Sequence, residues 1–177
     1  MGASGPCWRN GMSIYYLYQD KKKCIGCNSC KVACKTNKSL TADPKPTDII
    51  PVGPRLVEGR PRTAFVFMPC FHCENPWCVV ACPTGAMQKR AKDGIVFVNP
   101  ALCVGCKSCM SACPWGAPQW NAETGKVVKC DYCMERVDAG LKPACATICT
   151  AHCLRFDKAA DMQDVRRERY AKAVAEL

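Results

Sequence analysis

The chain has 177 residues, a formal charge of +10 and 18 cysteines. Such a cysteine density is typical of secreted, disulfide-rich domains. Two features argue against that class: the cysteines fall into four tight groups, and the N-terminal residues contain neither a cationic start with an apolar run nor a twin-arginine pair. No stretch approaches the ~18 uninterrupted apolar residues of a membrane span. We therefore expect a cytoplasmic protein without a membrane span; export together with a signal-bearing partner is the alternative.

The first predicted elements are a strand and a cysteine group. Residues 14–18 are rich in strand-forming side chains and lead into CIGCNSCKVAC, which completes a first segment, 1–34. The next segment, 35–62, is polar and contains five prolines. Proline-rich polar segments favour irregular structure, so we predict a long irregular loop or an excursion from the fold there.

Residues 63–129 contain the second and third cysteine groups in two similar units. Each group continues as C-P-x-G-A, followed by an extended stretch, a glycine-bearing turn and a β-rich run at 95–98 or 126–128. The sequence therefore predicts two hairpins. Residues 130–156 carry the fourth group.

The segment 157–177 has helix-forming residues with apolar side chains at intervals. This pattern predicts a C-terminal amphipathic helix. We expect the helix to pack on its own domain, with docking on a partner as the alternative.

Every cysteine group ends in C-x3-C, and together the groups account for sixteen of the 18 cysteines. The first contains Cys24, Cys27, Cys30 and Cys34, the second Cys70, Cys73, Cys78 and Cys82, the third Cys103, Cys106, Cys109 and Cys113, and the fourth Cys130, Cys133, Cys145 and Cys149. Cys7 and Cys153 lie outside the pattern.

The spacing favours iron–sulfur clusters over zinc. Each iron of a 4Fe–4S cube needs a thiolate from a different direction, and C-x2-C-x2-C curls three cysteines onto three irons. In bacterial two-cluster ferredoxins, C-x2-C-x2-C-x3-C-P gives its last cysteine to the other cluster, and residues 103–114 match that run. Two C-x2-C-like pairs in the fourth group also suit a four-cysteine zinc site, so a colourless zinc-binding interaction module is the remote alternative.

The positive charge has a simple explanation if clusters are present. Sixteen thiolates around four cores would give each site a charge of about −2, which offsets eight of the ten positive charges of the chain. We therefore expect no nucleic-acid partner.

The four groups together resemble the four-cluster ferredoxin-type subunits that accompany molybdenum or tungsten pterin oxidoreductases, among them the dimethyl sulfoxide reductase group and the tungsten aldehyde oxidoreductases. The resemblance covers roughly residues 14–156 and rests mainly on CFHCENPWCVVACPTGA, CVGCKSCMSACPWGAPQW and GKVVKCDYCMERVDAGLKPACATIC. It implies an α+β fold of two ferredoxin-like dicluster modules, related by pseudo-twofold symmetry, that hold four 4Fe–4S clusters.

The resemblance also implies that the first group shares ligands with the fourth, and the second with the third. The implied sets are Cys24, Cys27, Cys30 and Cys149; Cys130, Cys133, Cys145 and Cys34; Cys70, Cys73, Cys78 and Cys113; and Cys103, Cys106, Cys109 and Cys82. The chain departs from the family pattern after Cys149, where no proline follows and Cys153 stands nearby. We favour Cys149 as the ligand because it keeps the x3 offset.

Several side chains beside the cysteine loops are candidates for tuning the clusters, by hydrogen bonding to sulfur or by positive charge. They are His72, His152, Lys31, Lys107, Lys129 and Arg136. The alternative is that the histidines only pack and the cations only face solvent.

Electron transfer is the function that the sequence predicts. The chain contains no dinucleotide fingerprint, P-loop or nucleophile–base motif, so we expect no catalytic site of its own. We expect a subunit that relays single electrons between a tungsten or molybdenum pterin catalytic subunit, aldehyde oxidoreductase-like in first place, and another acceptor such as a flavin or membrane redox subunit. A free-standing polyferredoxin shuttle and a hydrogenase-linked relay are the alternatives.

Overall fold

The computed structural model describes residues 14–41 and 43–175. Its elements in chain order are β1 (Tyr15–Gln19), α1 (Ser29–Asn37), β2 (Asp48–Val57), β3 (Arg60–Met68), α2 (Trp77–Val80), β4 (Met87–Lys89), β5 (Val96–Val98), α3 (Ser108–Ala112), β6 (Gln119–Asn121), β7 (Lys126–Val128), α4 (Met134–Asp138), α5 (Ala144–Thr147), β8 (Leu154–Lys158) and α6 (Ala159–Ala175). This mixture of short helices and strands confirms the α+β class. None of the helices in the described ranges is long and apolar enough to cross a membrane. Cys7 and residues 176–177 lie outside those ranges.

The first strand pairs with the last one. β1 runs antiparallel to β8, with Leu17 opposite Phe156, and the N–H of Asp20 donates to the carbonyl of Cys153 at 2.8 Å. The first cysteine group follows β1 and the fourth precedes β8, so this pairing brings the two groups together. α1 packs against α5 at the same place.

Two short hairpins separate the second, third and fourth cysteine groups, as predicted. β4 pairs with β5 and β6 with β7, both antiparallel. Val96 and Val127 point from these hairpins into the core and are 1% and 3% exposed. The pseudo-twofold symmetry expected from the resemblance stays a prediction.

Residues 48–68 form a third hairpin, and residues 35–37 belong to α1, so the irregular structure predicted for 35–62 is wrong at 35–37 and from residue 48 onward. β2 and β3 pair from Asp48 opposite Met68 to Val57 opposite Arg60, with an irregularity between Val52 and Arg55. The prolines of this segment are tolerated because both strands of a two-stranded sheet are edges, where a missing N–H need not break a ladder.

The base of this hairpin is anchored in the body of the protein. The side chain of Gln19 donates to the carbonyl of Phe65 and accepts from the N–H of Phe67, both at 2.9 Å. Phe67 and Ile49 are buried in the core. The base is therefore fixed beside the end of β1 and the first cysteine loop.

The C-terminal helix is confirmed as α6, but its apolar side chains are buried only near its start. Met162 is 6% exposed, whereas Tyr170 and Val174 are 74% and 50% exposed. α6 contacts β1 and β8. The predicted packing on its own domain therefore holds for the beginning of the helix and not for its end.

One ion-pair network joins the second group's hairpin to α4. The guanidinium of Arg90 contacts Asp93 and also donates to Asp138 at 2.8 and 3.0 Å. Arg90 and then Lys92 lower the pKa of Asp138 to about 2, so this carboxylate stays charged at neutral pH. The network therefore connects the β4–β5 hairpin, which lies between the second and third cysteine groups, to α4 within the fourth group.

Candidate metal centres

The first and third cysteine groups form the same kind of loop. Each passes through a glycine with positive φ, +70° at Gly26 and +71° at Gly105, just before its second cysteine. A Cβ at Gly26 would lie 2.5 Å from the Phe65 ring, and one at Gly105 would lie 2.5 Å from the carbonyl oxygen of Gly125. Because no side chain fits at either position, glycine lets the loop close tightly, and a helix begins one residue before the third cysteine of each group.

Three cavities of nearly equal volume are lined by cysteines from two groups each. Cys24, Cys27, Cys30, Cys149 and Cys153 line one of ≈ 330 Å³. Cys82, Cys103, Cys106 and Cys109 line one of ≈ 310 Å³, and Cys70, Cys73, Cys78 and Cys113 line one of ≈ 290 Å³. Each cavity thus combines three cysteines of one group with the last cysteine of another, and the first cavity has Cys153 in addition. In the order given, we call the four predicted ligands around each cavity outer set A, outer set B and inner set B.

The remaining four predicted ligands form inner set A, and all of them are buried. Cys34, Cys130 and Cys145 are each 4% exposed and Cys133 is 5% exposed. Burial raises the pKa of Cys145, and the neighbouring charges of Cys130, Cys133 and Cys34 raise it further. These four side chains therefore lie within electrostatic reach of one another.

The core contacts place the four sets in a row. Cys109 of outer set B packs in one core cluster with Cys78 of inner set B. Cys70 of inner set B shares a second core cluster with Cys130 of inner set A. Cys145 of inner set A shares a third with Cys30 of outer set A. The order is therefore outer set B, inner set B, inner set A and outer set A.

Both ends of this row reach the surface. Cys27 in outer set A and Cys106 in outer set B are exposed. Hydrogen bonds from Ser29 lower the pKa of Cys27, and those from Ser108 lower that of Cys106. By contrast, burial raises the pKa of Cys130 in the middle of the row to about 12.

A buried lysine lies between the two inner sets. Lys129 is 4% exposed and lines the cavity of inner set B. Its Nζ donates to the carbonyl of Cys130 at 2.6 Å and to the carbonyl of Val96. Burial raises the pKa of Cys78 to about 11, and the charge of Lys129 opposes that rise.

Lys129 has no carboxylate partner among the ion pairs of residues 14–41 and 43–175. A buried cation without a counter-charge is strongly unfavourable. Lys129 therefore suits a place beside an anionic group.

His72 also lies between the two inner sets, and its imidazole ring is neutral. Its side chain is 1% exposed, and its ring centroid lies 3.7 Å from that of Tyr132. The N–H of Val96 donates to Nδ1 at 2.9 Å, so the proton of the neutral ring is on Nε2, which has no hydrogen-bond partner among the described residues. Burial lowers the pKa of His72 well below its ordinary value. Its predicted hydrogen bond to sulfur stays a prediction.

The other predicted tuning residues are more exposed and have other contacts. Lys31 pairs with Asp48 at 2.7 Å, Lys107 lies 4.2 Å from the centroid of the Trp120 ring, and Arg136 donates to the carbonyl of Lys142 at 2.9 Å. His152 is exposed.

Lys38 is a further cation beside the cysteines, one that the sequence did not predict. Its ammonium pairs with Asp131 at 2.7 Å beside inner set A, and its charge opposes the burial that raises the pKa of Cys34. The only sequence signal was its place four residues after Cys34, which does not distinguish it from other lysines.

Cys149 and Cys153 lie side by side at outer set A. Their Sγ atoms are 3.4 Å apart, and the N–H of Cys153 donates to Sγ of Cys149 at 3.3 Å. Cys149 therefore accepts a backbone hydrogen bond from Cys153, and both side chains reach the cavity of outer set A.

The four sets fit 4Fe–4S clusters better than single metal ions. Each of the three cavities brings a triplet of predicted ligands from one group together with a single predicted ligand from another. A four-cysteine zinc site is usually built from two pairs of ligands. Four thiolates around a space match a four-iron cube.

Comparison with protein families gives two matches. One model of a 4Fe–4S dicluster domain matches residues 62–159, and another 4Fe–4S dicluster domain matches residues 23–86. Together the two matches include all four cysteine groups.

Curated relatives match most of the chain. It is 38% identical over 158 residues to the thiosulfate reductase electron transfer subunit PhsB of Salmonella typhi, covering 86% of this chain and 80% of that protein. It is 39% identical over 153 residues to one subunit of the anaerobic dimethyl sulfoxide reductase of Haemophilus influenzae, with coverages of 82% and 74%. The corresponding subunit of the Escherichia coli enzyme is 40% identical over 149 residues, with coverages of 80% and 72%.

These matches confirm three expectations from the sequence. The chain carries four 4Fe–4S clusters, its role is electron transfer, and it has no catalytic site of its own. The protein belongs to the family of four-cluster, ferredoxin-type iron–sulfur subunits of molybdenum or tungsten pterin oxidoreductases.

Proposed function

We propose that the chain relays single electrons from one surface to the other along its row of cysteine sets, each set holding one 4Fe–4S cluster. The observation that carries this proposal is that each cavity combines three cysteines of one group with the last cysteine of another. The buried inner set A supplies the fourth site by the same rule. The proposed ligands are therefore the sixteen cysteines of the four groups.

The residues around the row determine how electrons enter, cross and leave it. Each bound cluster takes up or releases one electron. The exposed Cys27 and Cys106 place the two outer sets at the surface, where partners can approach. The four cysteines of inner set A are buried, and Lys129 provides positive charge between the two inner sets.

We propose a pterin-containing catalytic subunit at one end of the row and a second redox subunit at the other. The relatives are named for thiosulfate and dimethyl sulfoxide reductases, which supports a reductase as the catalytic partner. The aldehyde oxidoreductase preference stays a prediction that these relatives do not test, as do a flavin or membrane partner and the cytoplasmic location.

The direction of a substrate-driven colour change tests this function. In the complex purified without oxygen, we expect dimethyl sulfoxide or thiosulfate to reoxidise the reduced clusters, because a reductase partner draws electrons from the row. Visible absorbance and electron paramagnetic resonance (EPR) report the change. An aldehyde that instead reduces the oxidised clusters would indicate the other branch. A protein that carries clusters but purifies without a stoichiometric partner would indicate the free shuttle.

The ligand at outer set A is testable with two single variants. We expect Cys149→Ser to lose about four irons per chain and one EPR signal, because a cluster needs four thiolates. We expect Cys153→Ala to keep all of its iron, since Cys153 contributes its backbone N–H, which alanine retains. Iron analysis and EPR of the anaerobically purified variants measure both outcomes.

Cys27→Ser is the matched control, because it removes an undisputed member of the same set and should give the same loss as Cys149→Ser. If Cys153→Ala loses the cluster while Cys149→Ser keeps it, the ligand is Cys153 and the x3 rule does not hold in the fourth group.

A further inference from the structure

The outer part of the β2–β3 hairpin extends away from the core. Every residue from 50 to 64 is exposed, and Leu56 near the turn is 78% exposed. An isolated two-stranded hairpin is marginally stable in water. This one is held at its base by Gln19 and Phe67, and none of the residues 14–41 and 43–175 buries its outer half.

Three arginines share one face of this outer half. Arg55 stands directly opposite Arg62, and Val57 stands opposite Arg60. Side chains alternate between the two faces of a strand, so Arg55, Arg60 and Arg62 project to the same side. We call this side the arginine face. By the same alternation, Phe65 and Phe67 project to the other side, toward the core.

The arginine face is unfavourable for the isolated chain. Like charges placed directly opposite each other destabilise a strand pair, and Arg55 and Arg62 are such a pair. Among the ion pairs of the described ranges, none includes Arg55, Arg60 or Arg62. An anionic surface laid against this face would remove the repulsion, and the guanidinium groups suit carboxylates, which they bind in a bidentate manner.

The hairpin also lies beside one end of the electron path. A Cβ at Gly26 would lie 2.5 Å from the Phe65 ring, so the base of the hairpin touches the loop that carries outer set A. Next to that contact, Cys27 is exposed and Ile25 is 66% exposed. Phe65 is on the face opposite to the three arginines, so a protein that covers the arginine face and extends past the edge of the hairpin base would lie beside the exposed outer set A.

We propose that the arginine face of the β2–β3 hairpin is the docking surface for a carboxylate-rich surface of the redox partner subunit that exchanges electrons with outer set A. This inference rests on the proposed function, since it requires a partner at this end of the row. It identifies one end of the row as a partner interface and assigns the three arginines the role of holding that partner.

Charge reversal in the purified complex tests the proposal. In Arg55→Glu/Arg60→Glu/Arg62→Glu we expect retention of one stoichiometric subunit to fall about tenfold at physiological salt, because charge complementarity becomes repulsion. The matched control, Lys158→Glu/Arg167→Glu/Lys172→Glu, reverses three exposed charges at β8 and α6 and should retain that subunit. Both variants should keep the iron and sulfide content of the unaltered chain, which separates loss of docking from loss of clusters.

Cross-linking identifies the chemistry of the contact. Arg60→Lys keeps the positive charge and supplies an amine, which a water-soluble carbodiimide joins to a touching carboxylate as an amide. We expect a cross-link from this lysine to an Asp or Glu of the same subunit that charge reversal releases. No such cross-link, together with full retention in the charge-reversal variant, would overturn the proposal.

Two other results would also overturn it. Equal release of the subunit by the control variant would show a dependence on net charge and not on this face. Retention of all subunits, combined with loss of binding to phosphatidylglycerol vesicles only in the arginine variant, would assign the face to an anionic membrane. Failure of the proposed function is distinguishable from all of these, because the unaltered chain would then lack clusters or a stoichiometric partner.

Discussion

Removing iron from the chain is expected to unfold most of it. Ten of the 22 buried apolar residues in the described part are cysteines, and each of the three core clusters contains them. The sheets have two strands each, which is too few for independent stability. Without iron, the thiols that line the three cavities would lose the groups that join them, so we expect the fold to lose most of its stability.

Circular dichroism before and after oxidative chelation of the iron measures this effect. We expect the helix and strand signals to fall together with the visible absorbance, and to return when iron and sulfide are supplied. Chelator added without the oxidant is the control, and it should leave both signals unchanged. An iron-free chain with native-like dichroism would contradict a core built around the clusters.

Replacing Lys129 with methionine is expected to lower the midpoint potentials of the two clusters held by the inner sets. Lys129 is buried between those sets, and its positive charge favours the more negative, reduced form of a nearby cluster. A unit charge about 7 Å away in a medium of effective dielectric ~20 contributes roughly 2.4 kcal/mol. This corresponds to a downward shift of about 100 mV for one electron.

Redox titration monitored by EPR resolves the individual clusters. Lys129→Arg keeps the charge and should keep the potentials close to those of the unaltered chain. Lys92→Met removes a charge whose side chain is 62% exposed, and solvent and salt should screen its effect. Inner-cluster potentials that are equal in Lys129→Met and Lys92→Met would contradict a tuning role for the buried charge.

Local features of the fold were predictable because short sequence signals specify them. The hairpins β4–β5 and β6–β7 follow from β-rich runs on either side of glycine-bearing turns. The hairpin β2–β3 was missed because Pro51, Pro54 and Pro61 are loop signals in most contexts. They are compatible with a strand here only because the sheet has no third strand, and nothing in the local sequence reveals that.

The cysteine sets were likewise predictable only in their local part. Spacing within each group predicts a cysteine loop, but the meeting of the first and fourth groups depends on the pairing of β1 with β8, across most of the chain. The resemblance to a known family implied that meeting, and spacing alone did not.

The tuning residues show the limit of sequence patterns most clearly. Lys31, Lys107, Lys129 and Arg136 all lie near cysteines in the sequence, and only burial distinguishes Lys129 from the others. Tyr132, whose ring packs at a tilt against that of His72, had no distinguishing signal. Burial and stacking arise from the packing of distant segments, so they required the structure.

Iron and acid-labile sulfide per chain, measured on anaerobically purified protein, test the central claim most directly. Four clusters require about 16 of each, and we expect both counts at that level. About eight of each would leave two of the four cysteine sets without a cluster and would break the row. Zinc in place of iron, with no sulfide, would contradict electron transfer by this chain altogether.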